Sequence, residues 1–459
     1  MEQLKIKDET SKFYPVRKFL AGDIFALLVM AFGMVFVCTD EFVMGTVLFS
    51  FLFAAVVVLS DDMVTAFFPF MIMCAFAIQA FNSWPQFKKV LPLFIVPILG
   101  GVIHAVLYKN KEKTERGELF LPMSAVSIAI FFGGFGILPW KNYFSFVSLI
   151  YMFALGFLML LIYIHFRGHI APGKNYTEHI DLRIGKMMSG VAAFIFLEII
   201  EFYIQHWDKV IKNHGIIFMQ WRNNASTMLM IALPFIFYMA SRKFPYILIA
   251  IASAASFVLS GSRSGLVLGL LEFLVLMIFF AVNDRKNRKK YMILLFLIIV
   301  GAALLLPKAL EFSTYTVKRF QSGDQYSVRL RHWARAIEDF KSDPIFGRGL
   351  AYMGNRDIHP SKKGALCWYH NSVLQVIGSF GLMGVFAYLY QAKVRIKLLL
   401  SRNTMFGKTI FLSVIFLELM SLVNPGVFSP LYLLYLTVLL IIAENYITKK
   451  EKGVSLING

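Results

Sequence analysis

Long apolar runs alternate with short charged or turn-forming connections along the whole chain. Most runs approach the roughly 20 residues with which a helix, rising about 1.5 Å per residue, crosses a hydrocarbon core of about 30 Å. Fourteen such segments lie near residues 19–38, 42–60, 63–81, 90–108, 119–138, 143–165, 185–205, 225–240, 244–260, 263–282, 291–307, 371–391, 408–423 and 426–445. The total falls if the two weakest, 225–240 and 244–260, form one re-entrant pair. The pattern predicts an all-α polytopic integral membrane protein with about 14 transmembrane helices (12–14).

The composition agrees with a membrane protein and excludes other classes. Hydrophobic residues make up 58% of the 459 positions and charged residues 16%, whereas soluble domains average about 45–50% and about 25%. A large water-soluble core, a disordered scaffold and a disulfide-stapled secreted domain are therefore excluded. The three cysteines show no metal-ligand spacing, and unpaired thiols are favoured over a Cys38–Cys367 disulfide.

The basic residues predict how the chain is oriented. The formal net charge is +19, with 46 Lys and Arg. With the N-terminus inside, most of them fall in cytoplasmic connections, including the basic run at 285–290, as the positive-inside rule requires. The basic connection 308–370 falls outside, but it is too long for that rule to govern. We expect a single transmembrane domain over 1–459 in the bacterial plasma membrane, with both termini cytoplasmic and 308–370 as a large extracytoplasmic loop containing amphipathic helices.

The tight connection at 260–265 holds Arg263 at the expected outer end of an apolar helix. An arginine there is costly unless it reaches the headgroups or binds an anion. Ser262 and the neighbouring glycines permit a tight turn and leave N–H donors near a helix N-terminus, where negative charge is favoured. A diphosphate suits both the charge and the donors. Simple contact of Arg263 with lipid headgroups is the alternative, at about even weight.

The long loop contains a pattern of its own. Residues 326–340 place apolar side chains at helical spacing, with Arg329 one turn before Trp333. Residues 343–349 contain proline and glycine and are expected to end this helix as a turn. The pattern predicts an amphipathic helix along the membrane surface. The alternative is a solvated basic helix that shields the site entrance.

His370 directly precedes Asn371, the expected N-cap of the apolar helix 371–391. A helix N-terminus and nearby cations both disfavour an imidazolium, so His370 is expected to be neutral near pH 7. A neutral imidazole can accept a proton, which suits a general base that deprotonates an alcohol. Taken alone, a hydrogen-bonded structural histidine is the more common case.

Two acidic residues lie near the expected outer end of another helix. Glu198 and Glu201 are separated by about one turn, and they are candidates to orient arginines or to accept a proton. A structural ion pair is the favoured interpretation of intramembrane acids of this kind. The connection after this helix contains Arg222, and Lys209 and Lys212 precede it.

The motifs occur in an order that resembles the signature of the O-antigen ligase and O-antigen polymerase (Wzy-type) family. They are Ser262-Arg263-Ser264-Gly265, Arg329 with Trp333, Pro-Ile-Phe-Gly-Arg-Gly at 344–349, His-Asn-Ser-Val-Leu-Gln at 370–375 and Gly-Leu-Met-Gly at 381–384. The signature region, about 260–390, is less than a third of the chain. Each motif is weak alone, and their combined order and spacing are fairly specific.

The resemblance implies a metal-independent, inverting membrane glycosyltransferase without a cofactor, which acts on glycan carried by undecaprenyl diphosphate. In this family, arginines at the outer face bind the donor diphosphate, and a loop histidine helps to activate the acceptor hydroxyl. By motif match, His370 and Arg263 are the catalytic residues, and Arg263 and Arg329 bind the diphosphate.

Arg222 is a further, less secure diphosphate-binding residue. Residues 221–224 read Trp-Arg-Asn-Asn where the family usually has a Gly-Pro-Phe or Pro-Asn stretch, so Lys209 or Lys212 is the alternative cation. The supporting residues carried by the same argument are Ser262, Asn371, Glu198 and Glu201.

The motifs are equally compatible with two kinds of glycan acceptor. A polymerase joins lipid-linked repeat units into a capsule, exopolysaccharide or O-antigen, whereas a ligase transfers the glycan to a lipid A core, a protein or a wall polymer. The Phe-, Lys- and Ile-rich composition is typical of a low-GC Gram-positive source without a lipopolysaccharide core, which favours the polymerase. The expected partners are the lipid-linked donor, the glycan acceptor and membrane lipid, with a chain-length regulator and a flippase as candidates.

Two other classes are disfavoured. A transporter or flippase of the same lipid-linked glycan predicts pseudo-repeated halves and broken helices at the midplane, and neither is evident in the sequence. Nucleic-acid binding is disfavoured because the basic residues are distributed by membrane side instead of forming one aromatic-studded face.

Overall fold

The computed structural model describes residues 13–60, 62–80, 84–108, 116–133, 152–169, 179–213, 216–301, 303–304, 325–350, 368–401 and 403–451. All regular structure in these ranges is helical, which confirms the predicted all-α class. In chain order the helices are α1 (Tyr14–Leu20), α2 (Asp23–Cys38), α3 (Phe42–Leu59), α4 (Met63–Ala80), α5 (Trp84–Val90), α6 (Ile95–Leu107), α7 (Phe120–Gly133), α8 (Met159–His169), α9 (Ile180–Gln205), α10 (Trp207–Asn213), α11 (Arg222–Arg242), α12 (Ile247–Leu259), α13 (Leu270–Asn283), α14 (288–301), α15 (Gln325–Ser342), α16 (Ser372–Leu400), α17 (Met405–Ser421) and α18 (Pro430–Glu451).

The helices are those of a multi-pass membrane protein. Within the described ranges, 7 helical segments are long and apolar enough to cross a membrane, or 8 if α1 and α2, which meet at 58°, form one span. Four shorter apolar helices accompany them, at Phe120–Gly133, Ala154–His169, Phe244–Leu259 and Pro430–Asn445. The full set of about 14 spans stays a prediction, since 143–151 and 305–307 lie outside the described residues.

Two compact units make up the chain, residues 1–113 with 169–317 and residues 114–168 with 318–459. The core of the first unit is α11, in which every residue from Ala225 to Ala240 is buried. It packs against α9, α12 and α13. Helices α11 and α12 are separate and are joined by the short 3-10 turn Phe244–Tyr246.

Aromatic rings fill the contact between α3, α4 and α9 in the first unit. The ring of Phe76 meets that of Phe49 edge to face with centroids 5.4 Å apart, and that of Phe194 at 5.9 Å. Edge-to-face pairs at this spacing are favourable beyond their area burial. This packing gives α9 a fixed position, and α9 carries Glu198 and Glu201.

Helix α16 is the central element of the second unit and packs against α7, α15 and α17. It is longer than the predicted segment 371–391, and its geometry breaks at Gly381, where φ is +57°. A Cβ at Gly381 would lie 2.6 Å from the carbonyl oxygens of Pro344 and Ile345. Only glycine combines this backbone conformation with so close an approach.

Candidate active site

Ser262 organises the turn that carries Arg263. Its Oγ accepts a hydrogen bond from the Gly265 N–H at 3.1 Å, so Ser262 caps the helix that begins at Arg263. The same Oγ donates to Asn223 Oδ1 at 2.8 Å. Since Asn223 follows Arg222, this bond joins the segments of two predicted diphosphate ligands. Arg263 itself is exposed.

Phe218 contacts both the Arg222 segment and the turn that carries Arg263. The guanidinium of Arg222 lies over the Phe218 ring, 5.2 Å from its centroid, and Arg222 Nη1 donates to the Met219 carbonyl at 3.1 Å. Gly261 has φ of +74°, and a Cβ there would lie 2.3 Å from Phe218 Cδ1. The turn therefore requires glycine at 261 for its backbone conformation and for this ring contact.

Among the residues that the structure describes, Glu198 has no basic partner and pairs with an indole instead of forming the ion pair favoured by the sequence. The Trp221 indole N–H donates to Glu198 Oε1 at 2.7 Å, and the carboxylate is buried, with 2% exposure. A buried indole N–H requires an acceptor, and this need accounts for the pairing. Glu201 is half-buried and accepts a hydrogen bond from Gln205 at 3.3 Å. Lys209 and Lys212 are exposed on the short helix α10.

His370 has the left-handed backbone conformation, with φ of +54°. Such a conformation is uncommon outside glycine and often marks a functional position. Asn371 is the N-cap of α16, as predicted, because its side chain accepts from the Leu374 N–H at 3.1 Å. Its Nδ2 also donates to the Leu422 carbonyl at 3.2 Å. Residues on both sides thus fix the His370 backbone.

Tyr369 holds the backbone on the N-terminal side of His370. Its hydroxyl donates to Asp339 Oδ2 at 2.6 Å, and its N–H donates to Gln375 Oε1 at 3.0 Å. The ring is 1% exposed and lies against Gly378, where a Cβ would come within 2.8 Å of it. Tyr369 is therefore a positioning residue for His370.

Asp339 is the buried acid of this network. Burial raises the pKa of its carboxyl, while the Tyr369 hydrogen bond and the positive charges of Arg335 and Arg348 oppose that rise. Arg335 Nε lies 3.3 Å from Asp339 Oδ1. A hydrogen bond from an un-ionised hydroxyl to an ionised carboxylate is among the stronger kinds.

The segment predicted to form an amphipathic helix is helical, as α15, and its buried face lies on α16. Its position along the membrane surface stays a prediction. Ala336 and Tyr369 form a small apolar cluster there. The ring of the buried His332 lies edge to face with that of His370, 5.7 Å between centroids. Arg329, one turn earlier, is half-buried on the same helix. Leu330 and Ile337 are exposed on its other side.

Two sequence motifs of the second unit meet backbone to backbone. The N–H groups of Leu382 and Met383 donate to the Pro344 and Ile345 carbonyls at 2.8 and 3.1 Å. The N–H groups of Arg348 and Gly349 donate to the Gly378 and Ser379 carbonyls at 2.9 and 2.8 Å. The turn after α15 is thus bonded to the break in α16, and it fixes α15 beside His370.

The two units divide the predicted site residues. Ser262, Arg263, Arg222, Glu198 and Glu201 belong to the first, and His370, Asn371 and Arg329 to the second. Within the first unit, the Ser262–Asn223 bond joins the two arginine segments. Within the second, α15 and the α16 N-terminus bring His332 to His370. The joint action of the two sets is a proposal, developed below.

Sequence patterns did not indicate several residues of these networks. Asn223 and Trp221 each form a side-chain hydrogen bond with a predicted site residue, Ser262 and Glu198. Tyr369, which adjoins His370, is held by Asp339. Trp221 and Tyr369 each adjoin a candidate site residue in the sequence, and a buried aromatic with a polar tip requires a partner. Their position next to a candidate site residue is the sequence feature that could have indicated these two aromatic residues.

A comparison with known families agrees with the sequence resemblance. Residues 247–389 match the family model described as O-Antigen ligase. The chain is a multi-pass membrane protein, and the match confirms the resemblance of residues 247–389 to the O-antigen ligase family. The match supports lipid-linked glycan transfer of the ligase or polymerase type. No curated protein is significantly similar to the chain.

Proposed function

We propose that the protein polymerises undecaprenyl-diphosphate-linked oligosaccharide repeat units into a surface polysaccharide, by inverting glycosyl transfer that needs no metal ion, at the extracytoplasmic face of the plasma membrane. The observation that carries the proposal is the Ser262-capped helix start at Arg263, inside the segment that matches the O-antigen ligase family. A capped helix N-terminus with an exposed arginine is suited to a diphosphate.

The donor brings its own leaving group. In the proposed reaction the oxygen of the acceptor hydroxyl attacks the anomeric carbon, the bond from that carbon to the phosphate oxygen breaks, and undecaprenyl diphosphate leaves with the electron pair. Arg263, with Arg222 and Arg329, stabilises the charge that develops on the diphosphate. The acceptor proton passes to His370. These roles account for catalysis with arginines and one base.

Two features of the second unit support the base. The left-handed backbone at His370 is fixed by Tyr369 and Asn371, and a fixed base removes the orientational cost from the transition state. The N-terminus of α16 lies directly beyond His370, and a helix N-terminus disfavours the imidazolium before the reaction. His370 is then neutral and able to accept a proton.

An apolar cavity in the second unit suits a short stretch of the lipid portion of the donor. It has a volume of about 280 Å³ and is lined from Ser372 to Arg395 along α16. These positions are separated by about 35 Å of helix at 1.5 Å per residue. Arg395 and Glu418 pair at 2.8 Å at one end. A polyprenyl chain suits such an apolar wall.

Incubation of purified protein with its lipid-linked repeat unit and no second acceptor tests the assignment. A polymerase elongates the repeat and releases undecaprenyl diphosphate. Transfer to a lipid A core, protein or wall polymer, with no elongation in their absence, would instead establish the ligase alternative. Absence of glycan transfer under both conditions would exclude both.

A further inference from the structure

A second polar cavity lies within the first unit, next to the predicted diphosphate site. It has a volume of about 400 Å³, within the roughly 300–1,000 Å³ typical of small-molecule sites. Its lining is more polar than apolar. It includes three carboxylates, Asp40, Glu41 and Glu198, together with four glutamines and the rings of Phe202 and Trp221.

Glu198 is a buried polar side chain in the wall of this cavity. Its side chain is 2% exposed, and Trp221 occupies only Oε1. Gln79, on the wall of the same cavity, interacts with the Glu198 carboxyl group, but among the described residues no hydrogen bond of ordinary geometry reaches Glu198 Oε2. Unsatisfied buried oxygens are rare, because they lose hydration without compensation. An oxygen of this kind in a cavity wall indicates a ligand that supplies the missing hydrogen-bonding group.

The charge of the lining restricts that ligand. Among the described residues that line the cavity, three are acidic, none is lysine or arginine, and His206 is the one other titratable side chain. An anionic group such as a phosphate or a uronate is therefore disfavoured. Carboxylates accept hydrogen bonds, and glutamine side chains both donate and accept them. This combination suits a polyhydroxylated ligand, and aromatic rings offer apolar faces to its C–H groups.

The cavity adjoins the segment of the predicted diphosphate ligands. Trp221, which holds Glu198, directly precedes Arg222, and Asn223 is bonded to the turn of Arg263. In a lipid-linked glycan, sugars follow the diphosphate covalently. We propose that this cavity, resting on the function proposed above, binds an uncharged sugar residue of the glycan substrate, with Glu198 forming a hydrogen bond to a sugar hydroxyl.

Saturation-transfer NMR on the full-length protein in nanodiscs tests the subsite with defined probes. The probes are the methyl glycosides of glucose, galactose, mannose, rhamnose, N-acetylglucosamine and N-acetylgalactosamine, with methyl glucuronide as the charged counterpart. At least one neutral glycoside binds the wild type, and Glu198→Leu weakens that binding about tenfold or more. Methyl glucuronide binds about tenfold more weakly than methyl glucoside, because the lining is acidic.

A second variant keeps the test informative if Glu198→Leu fails to fold. Glu198→Gln preserves the shape and an acceptor for Trp221 and replaces Oε2 with an amide that can still form a hydrogen bond, so it weakens glycoside binding less than Glu198→Leu does. The matched control is Glu272→Gln, which alters another buried acid of the same unit away from the cavity and leaves sugar binding unchanged. Equal binding of glucuronide and glucoside, or no glycoside signal that depends on Glu198, overturns the subsite.

Binding of sugar-free undecaprenyl diphosphate separates this subsite from the proposed function. Arg263→Ala weakens that binding. If undecaprenyl diphosphate binds through Arg263 while no glycoside depends on Glu198, the subsite is wrong and the proposed function stands. If undecaprenyl diphosphate does not bind at all, the proposed function fails, and the subsite as part of it fails as well.

Discussion

Ser262 Oγ donates a hydrogen bond to Asn223 Oδ1 across 2.8 Å, and the two residues are 39 positions apart in the sequence. Each of them adjoins an arginine, Arg263 in one case and Arg222 in the other. The bond therefore ties two separately encoded cationic segments to one geometry. Because Ser262 also caps the helix that begins at Arg263, one hydroxyl serves both the turn and the pairing.

Removal of this hydroxyl should weaken both the turn and diphosphate binding. Ser262→Ala is expected to cost about 0.5–2 kcal/mol of stability through the lost cap, and Asn223→Ala less. A double-mutant cycle should show coupling of about 0.5–3 kcal/mol, as for other residues in contact. The measurements are the thermal midpoint in detergent and undecaprenyl diphosphate binding.

Ser253→Ala is the matched control for that cycle, since the Ser253 hydroxyl donates to the Ile249 carbonyl of its own helix. It should leave diphosphate binding unchanged. Strict additivity of Ser262→Ala and Asn223→Ala in both measurements would show that the bond does not join the two segments.

Tyr369→Phe tests the positioning of His370. The variant keeps the ring packing on Gly378 but deletes the donor to Asp339, a hydrogen bond to a charged group worth about 1.5–3 kcal/mol. We expect kcat of glycan elongation to fall about tenfold with little change in KM for the lipid-linked donor. Tyr390→Phe changes an exposed tyrosine of α16 and should behave as wild type. A change in KM alone would argue against a positioning role.

Asp339 should make stability depend on pH in a defined direction. Its pKa in the folded protein is above the ordinary value of 3.8 because of burial, so the folded state holds the proton more tightly than the unfolded state. The contribution of Asp339 to stability is then fully present below pH 3.8 and is lost as pH rises through the raised pKa. Lowering the pH into this window should shift the thermal midpoint of the wild type upward relative to Asp339→Asn. An opposite shift would contradict the raised pKa.

The expected orientation is open to a labelling experiment in intact cells. In a background without native cysteines, Asp208→Cys on α10 should react with a membrane-impermeant maleimide, whereas Lys286→Cys in the basic connection after α13 should react only after permeabilisation. Both positions are exposed, so access to reagent decides the result. Labelling of Lys286→Cys in intact cells would reverse the topology.

The sequence predicted helices and helix caps better than it predicted which side chains contact each other. Asn371 as an N-cap and α15 as an amphipathic helix followed from residue types at fixed spacing, and both are observed. The break at Gly381 and the bonds of Trp221 to Glu198 and of Tyr369 to Asp339 did not follow, because they depend on tertiary approach. The Glu198 ion pair was wrong because the buried indole N–H took the acceptor instead. Apolar periodicity specifies which face is buried but not which side chain lies opposite.

The central claim is that Arg263 and His370 serve one glycosyl-transfer reaction, and elongation of the lipid-linked repeat unit by purified variants tests it most directly. Arg263→Ala should slow elongation about 10²–10³-fold and His370→Ala about 10²–10⁴-fold, with both proteins inserted and abundant. Arg285→Ala, an exposed arginine beyond the opposite end of the same apolar helix, should elongate at the wild-type rate. Full-length glycan assembled at the normal rate by Arg263→Ala or by His370→Ala would contradict the account.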